Sequence, residues 1–87
     1  MKILKCAIIE DSNTQRKLLE RIVKNSKNLE LIFSFSSSIE GLKTINESKI
    51  DLLFLDIEMP IMNGFEFLSN LKIQPQVIIT SNFQNYA

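Results

Sequence analysis

The sequence has 87 residues, of which 45% are hydrophobic and 23% are charged, and its ten basic and ten acidic residues give a formal net charge of zero. This length and composition are typical of one small folded domain and exclude a disordered tail. Because the charge is balanced, no overall field attracts nucleic acid or an anionic membrane, so we expect a partner to be recognised by a local site.

Cys6 is the single cysteine and lies within an apolar run. We predict a buried structural thiol, no disulfide within the chain and a reducing compartment. No stretch approaches the roughly 20 apolar residues that span a bilayer, and the first residues lack the apolar length and the cleavage site of a signal peptide. We therefore expect a cytoplasmic protein that makes no contact with a membrane.

The first half of the chain predicts two strands and two helices. Residues 3–9 form a nearly continuous apolar run, which is typical of a buried strand. Ser12 and Gln15 have the spacing of a capping box, and the apolar residues that follow predict a helix over 13–26. Residues 29–35 predict a second strand. Ser37 and Glu40 have the same capping-box spacing at the start of the next helix. The predicted apolar face of that helix consists of Ile39, Leu42 and Ile45.

The second half predicts a third strand over 51–55, a third helix opened by Asn63 and Glu66, and a fourth strand over 76–80. The predicted apolar face of the third helix consists of Phe65, Leu68 and Leu71. Strands that are apolar on both faces and alternate with helices indicate an α/β fold, a doubly wound parallel sheet with helices on both sides. We expect residues 1–87 to form a single domain.

The chain ends shortly after the predicted fourth strand. We expect that strand to lie at one edge of the sheet and at least one sheet face to be thinly covered. Since an uncovered apolar face invites association, we predict self-association through the sheet.

Acidic and hydroxyl side chains follow three of the predicted strands, at the edge where open parallel sheets bind ligands. These residues are Glu10, Asp11, Asp56, Glu58, Thr80 and Ser81. In the strand order 2-1-3-4 three of their carboxylates converge, and like charges at close range are unstable without a counter-charge. A divalent cation supplies one. With no histidine in the sequence, oxygen ligands favour Mg²⁺ over zinc or copper.

Each of these residues also has a plain structural explanation when it is taken alone. Glu10 and Asp11 precede a helix and complement its dipole, Asp56 and Ser81 suit turns, and Pro60 ends a strand. The joint occurrence at one edge of the sheet favours a site.

The segments IIEDS, FLDIEMPIMNGFEFL and IITSN together resemble the receiver domain of bacterial two-component response regulators. The pattern Asp-x-x-Met-Pro-x-Met-x-Gly-x-x-x-Leu is complete from Asp56 to Leu68. The resemblance implies a flavodoxin-like topology of order 2-1-3-4. It also implies that residues 1–87 are a receiver truncated after the fourth strand, without the fifth strand and the last helices. The ending PQVIITSNFQNYA is similar to regulators that carry a LytTR-type DNA-binding domain.

The resemblance implies a phosphoacceptor signalling domain rather than an enzyme. Asp56 would take a phosphoryl group from a phosphohistidine of a sensor histidine kinase, and an output domain outside this chain would bind DNA. Asp11 and Asp56 would ligate Mg²⁺ directly, Glu10 mostly through water, and Glu58 through its backbone carbonyl.

The resemblance further implies that Ser81 is the hydroxyl that senses the phosphoryl group, whereas Thr80 is the less favoured candidate because it should face the other way in a strand. Gly64 would permit a tight start to the third helix. Three features depart from the family pattern: Glu10 replaces the usual aspartate, Asn82 replaces a small residue, and the lysine after the fifth strand has no counterpart.

Three other functions compete with the receiver interpretation. A haloacid-dehalogenase-type phosphatase also uses a strand-end aspartate, but its Asp-x-Asp-x-Thr pattern fails after Asp56. A dinucleotide-binding domain is excluded, because no glycine-rich loop follows the first strand and the chain has two glycines. A pseudo-receiver that binds partners without being phosphorylated stays an alternative, and weak Mg²⁺ affinity would distinguish it.

Overall fold

A computed structural model describes residues 2–80 of the chain. Strands and helices alternate in the predicted order. Their bounds are β1 (Leu4–Ile9), α1 (Asn13–Lys24), β2 (Leu29–Phe35), α2 (Ser38–Asn46), β3 (Leu52–Asp56), α3 (Gly64–Ser69) and β4 (Gln76–Thr80). The four strands form one parallel sheet in the order β2-β1-β3-β4. The predicted α/β fold with strand order 2-1-3-4 is therefore confirmed.

Side chains that were expected to cap the helices do so. The hydroxyls of Ser12 and Ser37 accept backbone N–H groups at the starts of α1 and α2, over 3.3 and 3.5 Å. At the start of α3, Asn63 and Glu66 form a complete capping box over 2.9 and 3.0 Å. Each bond satisfies a donor that the helix leaves open, so these sequence signals set where the helices begin.

The central strands β1 and β3 separate two apolar layers. On one face, Cys6 and Ile8 pack in a cluster with Val23 of α1, and on the other, Ile9 packs in a cluster with Ile45 of α2. All five residues have no exposed surface. The helices therefore cover both faces of the sheet, and Cys6 is the buried thiol that the sequence predicted.

The inward face of α3 differs from the prediction. Phe65 is 62% exposed, whereas Phe67 is fully buried. The face toward the sheet contains Gly64, Phe67 and Leu68, which have the i, i+3, i+4 spacing of one helical stripe. Leu71, assigned to the same face, lies beyond the helix end but packs against the core.

Gly64 sets the position of α3, because its N–H donates to the carbonyl of Ile57 over 2.8 Å. A Cβ at this position would lie 2.6 Å from the carbonyl oxygen of Asp56 and 2.9 Å from the Cα of Ile57. The predicted tight start of the helix is therefore a backbone-to-backbone contact that only glycine allows.

One strand boundary and one helix face also differ from the prediction. β3 runs one residue later than predicted, so Asp56 is its last residue. Ile39, predicted to face inward from α2, is 47% exposed. Asp51, predicted to start β3, instead precedes it and accepts the N–H of Lys5 over 2.9 Å.

β4 lies at the edge of the sheet formed by residues 2–80. Ile78 and Ile79, which point to opposite faces of the strand, are 46% and 42% exposed. Within the same residues, none of the helices combines the length and the apolar character needed to cross a membrane.

Candidate functional site

Three carboxylates meet where β1 and β3 end. The two strands are neighbours, and their register pairs Ile9 with Leu55. Glu10 follows β1 directly and therefore lies beside Asp56, the last residue of β3. One oxygen from each of Glu10, Asp11 and Asp56 lies within 4.8 Å of the others. The structure thus brings together the acidic residues that the sequence places at two separate strand ends, and we call these three residues the acidic cluster.

Glu10 is 5% exposed, and hydrogen bonds hold both its backbone and its side chain. Its N–H donates to the Phe35 carbonyl over 3.0 Å, and its carbonyl accepts the Arg16 guanidinium over 3.0 Å. One carboxylate oxygen accepts the Ser12 N–H over 3.2 Å, and the other accepts the Thr80 hydroxyl over 3.3 Å. Glu10 is therefore fixed in place rather than free to leave the cluster.

Asp56 is 6% exposed, and burial is the main cause that raises the pKa of its carboxyl from 3.8 to about 7. Hydrogen bonds to the Glu10 and Asp11 side chains and the charge of Glu10 raise that pKa further. The Glu58 N–H, which donates to Oδ1 of Asp56 over 3.1 Å, acts in the opposite direction. Without a counter-charge, Asp56 therefore keeps its proton until the pH reaches about 7.

The donor set of the acidic cluster fits a hard divalent cation. It consists of three carboxylates. Glu10 and Asp56 are buried, whereas Asp11 is exposed to solvent. Within residues 2–80, no lysine or arginine forms an ion pair with the carboxylate of Glu10, Asp11 or Asp56. Mg²⁺ prefers one or two carboxylates together with waters, which suits a cluster that is open on one side.

Thr80 faces the acidic cluster, contrary to the prediction that it points away. β3 and β4 pair Asp56 with Thr80, so the two side chains lie on the same face of the sheet. The Thr80 hydroxyl consequently reaches Glu10. The sequence shows that a hydroxyl ends β4 but not its orientation, which depends on strand register. Ser81, the favoured hydroxyl, lies outside the described residues.

The loop between β3 and α3 is anchored on both sides of a strained residue. Met59 is buried in the core, and the Met62 carbonyl accepts the Ser38 hydroxyl over 2.7 Å. Between them, Ile61 has a φ of 72° and is 86% exposed. The Met62 N–H donates to the Pro60 carbonyl over 2.8 Å, which closes a γ-turn around Ile61. This positive φ is unfavourable for a β-branched residue.

Comparison with known proteins agrees with this geometry. The sequence profile of the response regulator receiver domain matches residues 6–87. The chain is 38% identical over 87 residues to an uncharacterized response regulatory protein of Vibrio cholerae, covering 98% of this chain and 37% of that protein. It is 32% identical over 88 residues to the transcriptional regulatory protein NatR of Bacillus subtilis, covering 98% of this chain and 38% of NatR. The chain thus spans less than two fifths of the length of these curated relatives.

Solved structures share the fold. The response regulator domain of Thermotoga maritima CheB superposes with a TM-score of 0.82 at 28% identity, over 92% of this chain and 61% of that chain. The response regulatory domain of mrkE from Klebsiella pneumoniae superposes with a TM-score of 0.79 at 25% identity, over 90% of this chain and 66% of that chain. Profile, sequence relatives and sheet order all agree, and the chain belongs to the receiver domain family of two-component response regulators.

Proposed function

We propose that Asp56 is the phosphoacceptor of this receiver and that a sensor histidine kinase supplies the phosphoryl group. The observation that supports this role best is the meeting of three carboxylates within 4.8 Å at the carboxyl ends of β1 and β3. Such a cluster destabilises the folded chain unless a cation and a ligand offset its charge. Groups of ionisable side chains that lower the stability of the fold are common at functional sites, so this cluster supports a functional role.

The chemistry follows from the position of Asp56. Its carboxylate attacks the phosphorus of a phosphohistidine, the phosphorus–nitrogen bond breaks, and the imidazole leaves with the electron pair and takes up a proton. The product is an acyl phosphate on Asp56. The strand holds the carboxyl at the sheet edge, and the Glu58 N–H orients its Oδ1, so that positioning is the main contribution of the protein.

Glu10, Asp11 and Asp56 would hold Mg²⁺ in this site, with the Glu58 backbone carbonyl as a further predicted ligand. When bound, Mg²⁺ neutralises charge on the transferring phosphoryl group. Such a counter-charge would favour the carboxylate form of Asp56 at neutral pH, because the pKa of this group in the cluster is otherwise about 7.

Two hydroxyls have separate proposed roles. We retain Ser81 as the hydroxyl that follows the phosphoryl group. Thr80, which donates to the Glu10 carboxylate, would instead orient that carboxylate. Thr80→Val is then expected to weaken Mg²⁺ binding, whereas Ser81→Ala should leave Mg²⁺ binding unchanged and impair signalling to the output. Strong signalling by Ser81→Ala would contradict its assignment.

The kinase and the output are assigned by chemistry and by analogy. Leu18 and Ile22 are each 49% exposed and lie one turn apart on α1, which begins beside the acidic cluster, so they offer an apolar surface to a kinase. NatR of Bacillus subtilis and BtsR of Escherichia coli are named transcriptional regulatory proteins. By analogy, the output would be a DNA-binding domain outside residues 1–87, acting in the cytoplasm.

Phosphorylation is tested directly by incubating the protein with Mg²⁺ and a small-molecule phosphoramidate and then measuring its mass. The expected result is the gain of one phosphoryl group, which Asp56→Asn abolishes. Asp51→Asn is the matched control, because Asp51 lies at the opposite end of β3, and it should be phosphorylated normally. An equal gain in Asp56→Asn would refute the assignment. No gain in any variant, together with weak Mg²⁺ binding, would favour the pseudo-receiver.

We also propose that the exposed side of β4 mediates self-association. Ile78 and Ile79 leave apolar surface on both faces of this strand, and the strand has no charged residue to deter pairing. Sedimentation over micromolar concentrations should give a mass that rises with concentration, and Ile79→Lys should lower it. A constant monomeric mass would rule the proposal out.

A further inference from the structure

Arg16 connects the acidic cluster to the rest of α1. It lies in α1, and its side chain is 17% exposed. One terminal nitrogen donates to the Glu10 carbonyl over 3.0 Å, and the other donates to the Asn13 side chain. The third guanidinium nitrogen, Nε, lies 3.9 Å from a carboxylate oxygen of Glu20. Two of the three nitrogens therefore donate hydrogen bonds, and the third lies at ion-pair distance from Glu20, so the guanidinium is restrained by contacts within α1 and with Glu10.

Glu20 is itself held from the opposite side. The Ser34 hydroxyl of β2 donates to the same Glu20 oxygen over 2.6 Å. The contacts thus run from β2 through Glu20 and Arg16 to the residue that follows β1. We call Arg16, Glu20 and Ser34 the arginine brace. None of these three residues belongs to the acidic cluster or to the segment from Asp56 to Leu68 that carries the family pattern.

The brace acts on the peptide group that joins two candidate metal ligands. The carbonyl that Arg16 binds is that of Glu10, and the same peptide unit continues into Asp11. Because a peptide group is planar, its orientation sets the direction in which both residues project. Within residues 2–80, Arg16 is the one cationic side chain that donates a hydrogen bond to a member of the acidic cluster.

We propose that Arg16 is a positioning residue that holds the Glu10–Asp11 peptide so that both carboxylates point toward the cation. This inference rests on the proposed Mg²⁺-dependent function. A purely electrostatic role predicts the opposite behaviour, because a positive charge near the cluster repels a cation and its removal tightens binding. Positioning predicts that removal weakens binding. The sign of the change therefore separates the two roles.

The test is a Mg²⁺ titration of the protein followed by amide NMR shifts, which report the dissociation constant and the folded state together. Arg16→Gln should weaken Mg²⁺ binding about 10-fold, as is usual when a group that orients a metal ligand is lost. Arg16→Lys should recover part of that loss, because an ammonium still donates to the Glu10 carbonyl. Arg21→Gln, an exposed arginine in the same helix, should bind like the parent. Unchanged or tighter binding by Arg16→Gln would overturn the inference.

Ser34→Ala keeps the test decisive if Arg16→Gln folds poorly. This variant loosens Glu20 without touching the cluster, and a smaller loss of Mg²⁺ affinity is expected. A parent-like affinity in Ser34→Ala would count against the brace. The failure of the wider proposal looks different: the parent itself would not bind Mg²⁺, or Asp56→Asn would bind it equally well.

Discussion

Replacing Asp56 by asparagine should stabilise the metal-free protein at alkaline pH, because the carboxylate destabilises the fold when it is charged. The pKa of Asp56 is raised from 3.8 to about 7 in the folded chain, whereas the unfolded chain releases the proton near the ordinary value. Between these two values the folded state binds more protons than the unfolded state. The stability contributed by this group is therefore full below pH 3.8 and is lost as the pH rises through about 7.

The magnitude follows from the difference between the two pKa values. At about 1.36 kcal/mol per pH unit, the difference sets an upper limit of about 4 kcal/mol. Water reaches the acidic cluster beside the exposed Asp11, and screening reduces this figure, so we expect about 2 kcal/mol. For a protein of this size that energy corresponds to a change of about 1–2 M in the urea concentration at the unfolding midpoint.

The assay is urea unfolding in EDTA, followed by circular dichroism, at pH 4.5 and pH 8. The urea concentration at the unfolding midpoint should be higher for Asp56→Asn than for the parent at pH 8, and the two midpoints should be close at pH 4.5. Glu47→Gln, which removes an exposed carboxylate at the end of α2, should keep the pH dependence of the parent. Added Mg²⁺ should stabilise the parent more than Asp56→Asn. Equal midpoints of Asp56→Asn and the parent at pH 8 would show that the carboxyl is not strained by its neighbours.

Five further substitutions, two pairs and one single change, test the packing by urea unfolding. Gly64→Ala should cost about 3 kcal/mol of stability, because its Cβ would meet backbone atoms. Gly41→Ala should cost less, because its Cβ would meet the side chains of Ile9 and Phe35 rather than backbone and because alanine favours the helix; equal costs would contradict this. Phe67→Ala should lower the free energy of unfolding by about 3–5 kcal/mol and Phe65→Ala by about 0.5 kcal/mol or less. A larger loss for Phe65→Ala would indicate that Phe65 faces inward, as the sequence predicted. Ile61→Gly should stabilise the protein by about 1 kcal/mol, because glycine has no Cβ and adopts a positive φ without a clash; a loss of stability would show that the γ-turn is not strained.

Local chemistry explains why the sequence predicts so much of this fold. Capping side chains such as Ser12 and Asn63 act within one turn of the residues they cap, so their effect can be read from neighbouring residues. The apolar runs that become β1 and β3 are similarly local. These signals determined the order and type of the elements, and the order in turn brought Glu10 and Asp56 to one edge of the sheet.

The features that the sequence did not predict depend on distances between elements. Phe67 rather than Phe65 is buried because Gly64 packs against the backbone at the end of β3 and thereby sets the rotation of a six-residue helix. A helix this short has too few apolar residues for its sequence to define a face.

Residues close together in the sequence are enough to predict an α/β domain with acidic residues after two of its strands. Tertiary structure alone decided that Thr80 faces the acidic cluster, because strand register sets which side chains share a face. It also decided that Arg16 reaches the Glu10 carbonyl, because that contact depends on how α1 packs beside β1. Both contacts join residues whose relation is set by packing, and packing is cooperative over the whole sheet rather than encoded in any one segment.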